Sequence, residues 1–170
     1  TKGLKKNIKI TTMEDLEKNE KIHNIAVGSG FDVHEFTDGK ELILCGIKIP
    51  FSKKLKGHSD ADVGIHTIVD AILGALSCGD IGDHFPPSEK KWKNADSVIF
   101  LEKCSYLIKK NNSEILHIDL TFICEEPKLT KYKNKMAKNI ARILEIDFNR
   151  INIKATTTEK LGFIGRKEGI

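Results

Sequence analysis

Asp32 and His34 stand two positions apart in the phrase GFDVHEF, and a strand sends residues i and i+2 to the same face. A carboxylate and an imidazole aimed into one space form either a surface ion pair or part of a metal site. His66 supplies a third group from DADVGIHTIVDAILGALS, one helical turn after Asp62 and one before Asp70. Two imidazoles and a carboxylate leave a fourth tetrahedral position open, which is the ligand pattern of a catalytic zinc. Asp62 or Asp70 would then be the acceptor that fixes the tautomer of His66. In the competing reading His66 is a satisfied core or groove histidine, and spacing alone leaves both readings open.

Three further phrases hold groups that chemistry can use. His58 and Ser59 open the same helix, where N–H groups, an imidazole and a hydroxyl suit an anionic ligand; an ordinary N-cap is the alternative. GDIGDHF puts Asp80 in a tight turn between glycines, able to accept from a ligand hydroxyl or simply occupying a favoured turn position. KATTTEK combines hydroxyl donors with Glu159, a hard oxygen ligand of the kind Mg²⁺ takes beside substrate phosphates. Its alternative is a capping box from Thr156 to Glu159, which the glycine-rich continuation weakens. GSGF and GFIGR have neither the spacing nor the setting of a dinucleotide fingerprint or a Walker loop.

The elements that must position these groups follow from the pattern. Residues 24–36 read as a strand whose glycines permit close backbone approach. ELILCGIKIP reads as a hairpin ending at Pro50, and FSKKLKGHSD as a loop. Val63, His66, Val69, Leu73 and Leu76 recur at helical spacing, with Ser59 or Asp60 as the N-cap. GDIGDHFPPSEKKW is a loop, and a second helix runs over about 96–110 until two asparagines stop it. EILHIDLTFICEE is a strand ended by Pro127, about 132–145 a third helix, and RINIKATTT another strand. EKLGFIGRKEG is a glycine-rich loop leading into what reads as a truncated last strand. This order implies an α/β (α+β type) fold, a mixed sheet with helices packed on one face.

Composition bounds the rest. The 170 residues suit one domain over 24–170, after a poorly ordered basic tail over 1–23 whose six lysines face four acids. The net charge of +4 is otherwise spread over a mixed surface, weak support for nucleic-acid binding and compatible with a pocket for a phosphorylated small molecule. No apolar run is long enough for a membrane helix, and no secretory pattern is present. Cys45, Cys78, Cys104 and Cys124 lie far apart without C-x-x-C pairing, so buried reduced thiols are expected rather than a thiolate zinc site. A first residue other than Met and an apolar last phrase read as trimmed ends.

GFDVHEF, GHSDADVGIHTIVDAILGALSCGDIGDHFP, ADS, EEPK and KATTTEKLGFIGRKEG, in this order, resemble the 2-C-methyl-D-erythritol 2,4-cyclodiphosphate synthase family over about residues 25–170. The resemblance implies a homotrimer with active sites between neighbours and a zinc- and magnesium- (or manganese-) dependent lyase. Its small-molecule substrate would be 4-diphosphocytidyl-2-C-methyl-D-erythritol 2-phosphate, cyclised with release of CMP, with neither nucleic acid nor membrane as a partner. It implies zinc on Asp32, His34 and His66 and magnesium on Glu159. Asp80, Thr157 and Glu159 would be catalytic, and His58, Ser59, Asp80, Ile81 and Gly82 would surround the methylerythritol and its phosphates. Cys124, Pro127, Lys128 and Leu129 belong to the cytidine loop over 124–130; Ala155, Thr156 and Thr157 would contact phosphate and cytidine; Phe163 and Arg166 would lie near the trimer axis.

Three departures from the family pattern stand out. Pro87 replaces an Asp, Glu125 and Glu126 replace small or apolar residues beside Pro127, and the chain stops before a final apolar strand. A zinc-dependent phosphoesterase and a non-catalytic metal-binding or interaction protein are the rival functions, with a nucleic-acid module, supported by the tail's lysines alone, the weakest. The lysine-rich opening and a Lys/Asn/Ile-rich composition suggest a relict plastid, with a bacterial cytoplasm as the alternative.

Overall fold

The computed structural model describes residues 11, 12 and 25–170, so the expected tail, apart from Thr11 and Thr12, lies outside the described residues. The strands are β1 (Phe36–Asp38), β2 (Glu41–Leu44), β3 (Ile47–Pro50), β4 (Lys53–Leu55), β5 (Ile118–Ile123) and β6 (Ile151–Thr156). The helices are α1 (Val63–Ala75), α2 (Ile81–His84), α3 (Val98–Lys110), α4 (Lys133–Leu144) and α5 (Gly162–Gly165). Both strand directions occur, yet among the described residues the strands form three two-stranded sheets instead of the single mixed sheet expected. β1 pairs antiparallel with β4, β2 with β3, and β5 runs parallel to β6.

The β5–α4–β6 unit shows why helices gather on one face. Leu120, Phe122, Ile151 and Ile153 alternate inward, while Asp119, Thr121, Asn152 and Lys154 face outward. The inner face meets a core built from Ile65, Val69 and Leu73 of α1, Leu101 of α3, and Met136 and Ile140 of α4. Gly64 lets α1 come close, since a Cβ there would sit 2.7 Å from Phe122 and 2.9 Å from the Cys45 sulfur.

The turn between β2 and β3 places Cys45 and Gly46 at φ 52° and 70°, the left-handed pair that matches hairpin twist. Asp62, the true N-cap of α1 in place of Ser59 or Asp60, ties this turn to the helix. Its carboxylate accepts from Cys45 N (2.8 Å), Gly46 N (2.6 Å) and Ile65 N (3.0 Å). Burial pushes this carboxyl up to about 6, against those backbone N–H bonds.

The expected first strand over 24–36 is not formed as such. Strand pairing starts at Phe36, joined by a bridge from Glu35 to Gly169 and by reciprocal backbone bonds between His34 and Ile170. The glycines explain the difference. A Cβ on Gly28 would lie 1.7 Å from Ala71 O and one on Gly30 2.0 Å from Thr67 O, so this backbone is pressed against α1. Residues 168–170 meet His34 to Phe36 where a last strand was expected. Two expected loops contain short elements, β4 and α2, and the glycine-rich 162–165 forms α5. The four cysteines are free as expected; burial pushes Cys104 up to about 12 and Cys124 to about 11, making poor nucleophiles of both.

Candidate metal centre and its surrounding loops

The extended stretch before β1 and the first turn of α1 bring Asp32, His34 and His66 together. Asp32 Oδ2 lies 3.0 Å from His34 Nε2 and 3.1 Å from His66 Nδ1, and the two ring nitrogens are 3.1 Å apart. The outer partners fix the tautomers. His34 Nδ1 faces Lys56 O at 2.8 Å, and a carbonyl can only accept, so Nδ1 carries the proton. Ser97 Oγ gives its hydrogen to Asp60 Oδ1, so His66 Nε2 donates to Ser97 Oγ at 2.9 Å. Ser59 Oγ also sits 3.1 Å from that nitrogen. In the neutral rings, therefore, His34 Nε2 and His66 Nδ1 present lone pairs to each other and to the Asp32 oxygen.

Three acceptors facing one point ask for a cation. In a tetrahedral zinc site with bonds of 2.0–2.1 Å, ligand atoms lie about 3.3 Å apart, close to the spacing here. The donor set also fits zinc and keeps a fourth position open. The described residues contain one such cluster of three or more potential ligands, this one. Without a cation a proton does the work. Burial favours neutral Asp32, but the hydrogen bonds from His34 and His66 prevail and hold its carboxyl well below the usual carboxylate range. Burial likewise disfavours charged His34, and the Asp32 hydrogen bond and charge overcome it, raising the imidazole.

The acceptor behind His66 is the Ser97–Asp60 pair, which corrects the expectation of Asp62 or Asp70. Asp62 is occupied as described, and Asp70 accepts from Ile81 N at 2.8 Å. Asp60 is reached because the loop before α1 is stitched to the loop before α3: Asn94 N donates to His58 O (2.7 Å), Asp60 N to Ala95 O (3.0 Å) and Ser97 N to Asp60 Oδ2 (3.1 Å). Phe100 of α3 backs the His66 ring at 6.1 Å, and Phe85 and Trp92 pack on Phe100.

The remaining candidates lie on loops. Ser59 reaches His66, whereas His58 is exposed. Asp80 caps α2 in a reciprocal box with Asp83, which leaves Ile81 half-buried and Gly82 exposed at the helix start. Pro87 is exposed just beyond. Pro127 and Lys128 line a cleft of about 400 Å³ with Pro50, Thr130, Lys131 and Tyr132. Cys124 and Leu129 are core residues, so their side chains face away from solvent and their loop offers backbone groups. Ala155 and Thr156 end β6. Thr157 Oγ1 donates to Glu159 Oε1 at 2.9 Å, and no helix starts at Thr156, so the capping-box alternative does not form. Phe163 is exposed, and Arg166 pairs with Glu168 at 2.7 Å.

The model of the YgbB family matches residues 25–170. The chain belongs to the YgbB family. The resemblance to cyclodiphosphate synthases, drawn from the sequence phrases, is thereby borne out. A curated relative, the bifunctional enzyme IspD/IspF of Bartonella bacilliformis, is 54% identical over 172 residues, covering 96% of this chain and 43% of its own. This YgbB-family chain thus spans less than half the length of the curated relatives it matches. Among solved structures, bifunctional IspDF from Campylobacter jejuni superposes with a TM-score of 0.77 at 48% identity, covering 85% of this chain and 39% of that one. Plasmodium falciparum IspF in its CDP complex gives 0.74 at 39% identity, with coverage of 85% and 88%.

Sequence reasoning missed Asp60, Ser97 and Glu125. The phrase ADS carried Ser97 as part of the family pattern without a role; nothing local announces a partner 37 residues away. Glu125, noted as a departure, turns inward to the Thr158–Lys160 backbone, and Glu126 pairs with Lys167 at 2.7 Å.

Proposed function

We propose that this chain cyclises 4-diphosphocytidyl-2-C-methyl-D-erythritol 2-phosphate to 2-C-methyl-D-erythritol 2,4-cyclodiphosphate and releases CMP. The observation that carries the reading is the convergence of three potential ligand atoms from Asp32, His34 and His66, in a chain of this family. The CDP complex of the Plasmodium relative supports a cytidyl ligand. Zinc held by the trio, and magnesium (or manganese) held by Glu159, would supply Lewis-acid neutralisation of phosphate oxygens.

The chain's own groups do the rest. An oxygen of the 2-phosphate attacks the β-phosphorus, that bond forms, and the bond from the β-phosphorus to the bridging oxygen breaks with CMP as leaving group. The nucleophile is already largely ionised at neutral pH, so it needs positioning more than a base. Ser59 and the α2 loop, with Asp80, Ile81 and Gly82, would hold the methylerythritol end. Lys128 and the hydroxyls of Thr156 and Thr157 would hold the departing half, Lys128 from the side of the cleft it lines with Pro127. Cys124, Leu129 and Ala155 would contribute backbone contacts. The assembly would be a homotrimer with sites between neighbours and Phe163 and Arg166 near its axis. The relatives named as bifunctional enzymes are bacterial, which supports the bacterial cytoplasm.

Phosphorus NMR on the zinc-loaded chain with the cytidyl substrate and magnesium tests the reaction. Cyclic diphosphate and CMP appearing in equal amounts is the expected result. Uncyclised, hydrolysed product would make the chain a phosphoesterase, and no turnover would make it a metal-binding protein.

A further inference from the structure

Glu159 and Lys160 both adopt left-handed backbone, at φ 52° and 65°. Neither is glycine, and each such residue costs on the order of 1 kcal/mol. Something must hold two in succession. One carboxylate oxygen does: Glu125 Oε1 accepts from Thr158 N and Lys160 N, both at 3.1 Å, with the Thr158 hydroxyl 3.3 Å away. The two amides flank Glu159, so its backbone is clasped on either side. The Thr158 hydroxyl is closer to Leu161 O, at 2.7 Å, and Leu161 N returns to Thr158 O, closing the turn below the clasp. Glu125 itself follows Cys124, whose amide donates to Thr156 O at 3.0 Å, so the residues before each loop are already paired.

The structure assigns Glu125 as a positioning residue for Glu159: it locks the turn that aims the Glu159 carboxylate, and it couples that turn to the loop carrying Pro127 and Lys128. This rests on the reading of Glu159 as the magnesium ligand. It also gives the acidic departure at residue 125 a purpose, because a small apolar residue there would offer the two amides no acceptor. The Lys160 amide bond, opposed by desolvation and joined by the Thr158 bonds, keeps the Glu125 carboxyl below its usual range, ionised and accepting at neutral pH.

The test uses the zinc-loaded full chain and three variants, Glu125→Ala, Glu125→Gln and Glu159→Gln. Amide hydrogen exchange at Thr158 and Lys160 reads the clasp, and Mn²⁺ binding in the presence of CDP, followed by electron paramagnetic resonance, reads the site. Glu125→Ala is expected to speed both amides, lower Tm by a few degrees and weaken Mn²⁺ by about tenfold, the scale of one lost hydrogen bond, with zinc content unchanged. Glu125→Gln keeps a carbonyl acceptor and should restore most of both. Unchanged exchange in Glu125→Ala overturns the clasp. Faster exchange with unaltered Mn²⁺ binding overturns the positioning role. Wild-type Mn²⁺ binding by Glu159→Gln removes the reading of Glu159 itself, independently of Glu125.

Discussion

The trio at Asp32, His34 and His66 and the turn at Glu159 are built on opposite plans. His66 stands on a thirteen-residue helix, is 9% exposed, and has its far nitrogen fixed by a serine that is itself fixed by a carboxylate. Glu159 is exposed, sits in left-handed backbone, and has its own carboxylate bonded to one neighbouring hydroxyl. A rigid, partly buried set of imidazole and carboxylate donors suits a resident ion; an exposed single carboxylate suits an ion that arrives with substrate phosphates. The chemistry proposed here needs both, one ion kept and one exchanged.

The largest expected effect breaks the rigid half. His34→Ala or His66→Ala should remove bound zinc and lower turnover by about 10³-fold or more, since Lewis-acid stabilisation is worth several kcal/mol. Elemental analysis and sedimentation on the same preparations check it, with a folded assembly retained. Full zinc in either variant would dismiss the triad. Glu159→Gln attacks the other half. It should retain zinc and Tm while cutting turnover by about 10²-fold, measured at saturating magnesium. Near-wild-type turnover there would leave Glu159 without a part in the reaction.

Ser97→Ala sharpens the contrast. It leaves all three ligands but unlocks the His66 tautomer, so zinc affinity should fall by about 10- to 100-fold in chelator competition, with magnesium dependence unchanged. If zinc affinity is unaltered, the Asp60–Ser97 relay has no hold on the ring. Asp62→Ala addresses the scaffold under the trio. Three backbone donors lose their acceptor, two of them in the β2–β3 turn, and the variant should lose about 3 kcal/mol in denaturant unfolding with zinc stoichiometry intact. A loss below 1 kcal/mol would mean water satisfies those amides.

What was legible in the sequence depended on range. Asp32 and His34 are near neighbours, and the helix under His66 announces itself by period, so the trio could be nominated from spacing and strengthened by resemblance. Helices α3 and α4 appear within two residues of their expected ends. The misread elements share one cause: a residue type was doing a long-range job that local pattern hides. Gly28 and Gly30 looked like strand glycines, but they make room for α1 carbonyls. Asp62 looked like a candidate behind His66 but serves a hairpin turn, while Asp60 looked like a cap and serves Ser97. Glu125 looked like an intrusion into a nucleotide loop and instead faces its own backbone. The single mixed sheet failed for a related reason, since strand order follows from pairings that no periodicity states.

Zinc K-edge absorption on the purified chain tests the central claim most directly. The account predicts one zinc per chain with a nitrogen and oxygen shell at about 2.0–2.1 Å, two of the ligands imidazoles, and a lighter exchangeable fourth ligand. A sulfur shell near 2.3 Å, or full cyclase turnover by a zinc-free chain, would contradict it.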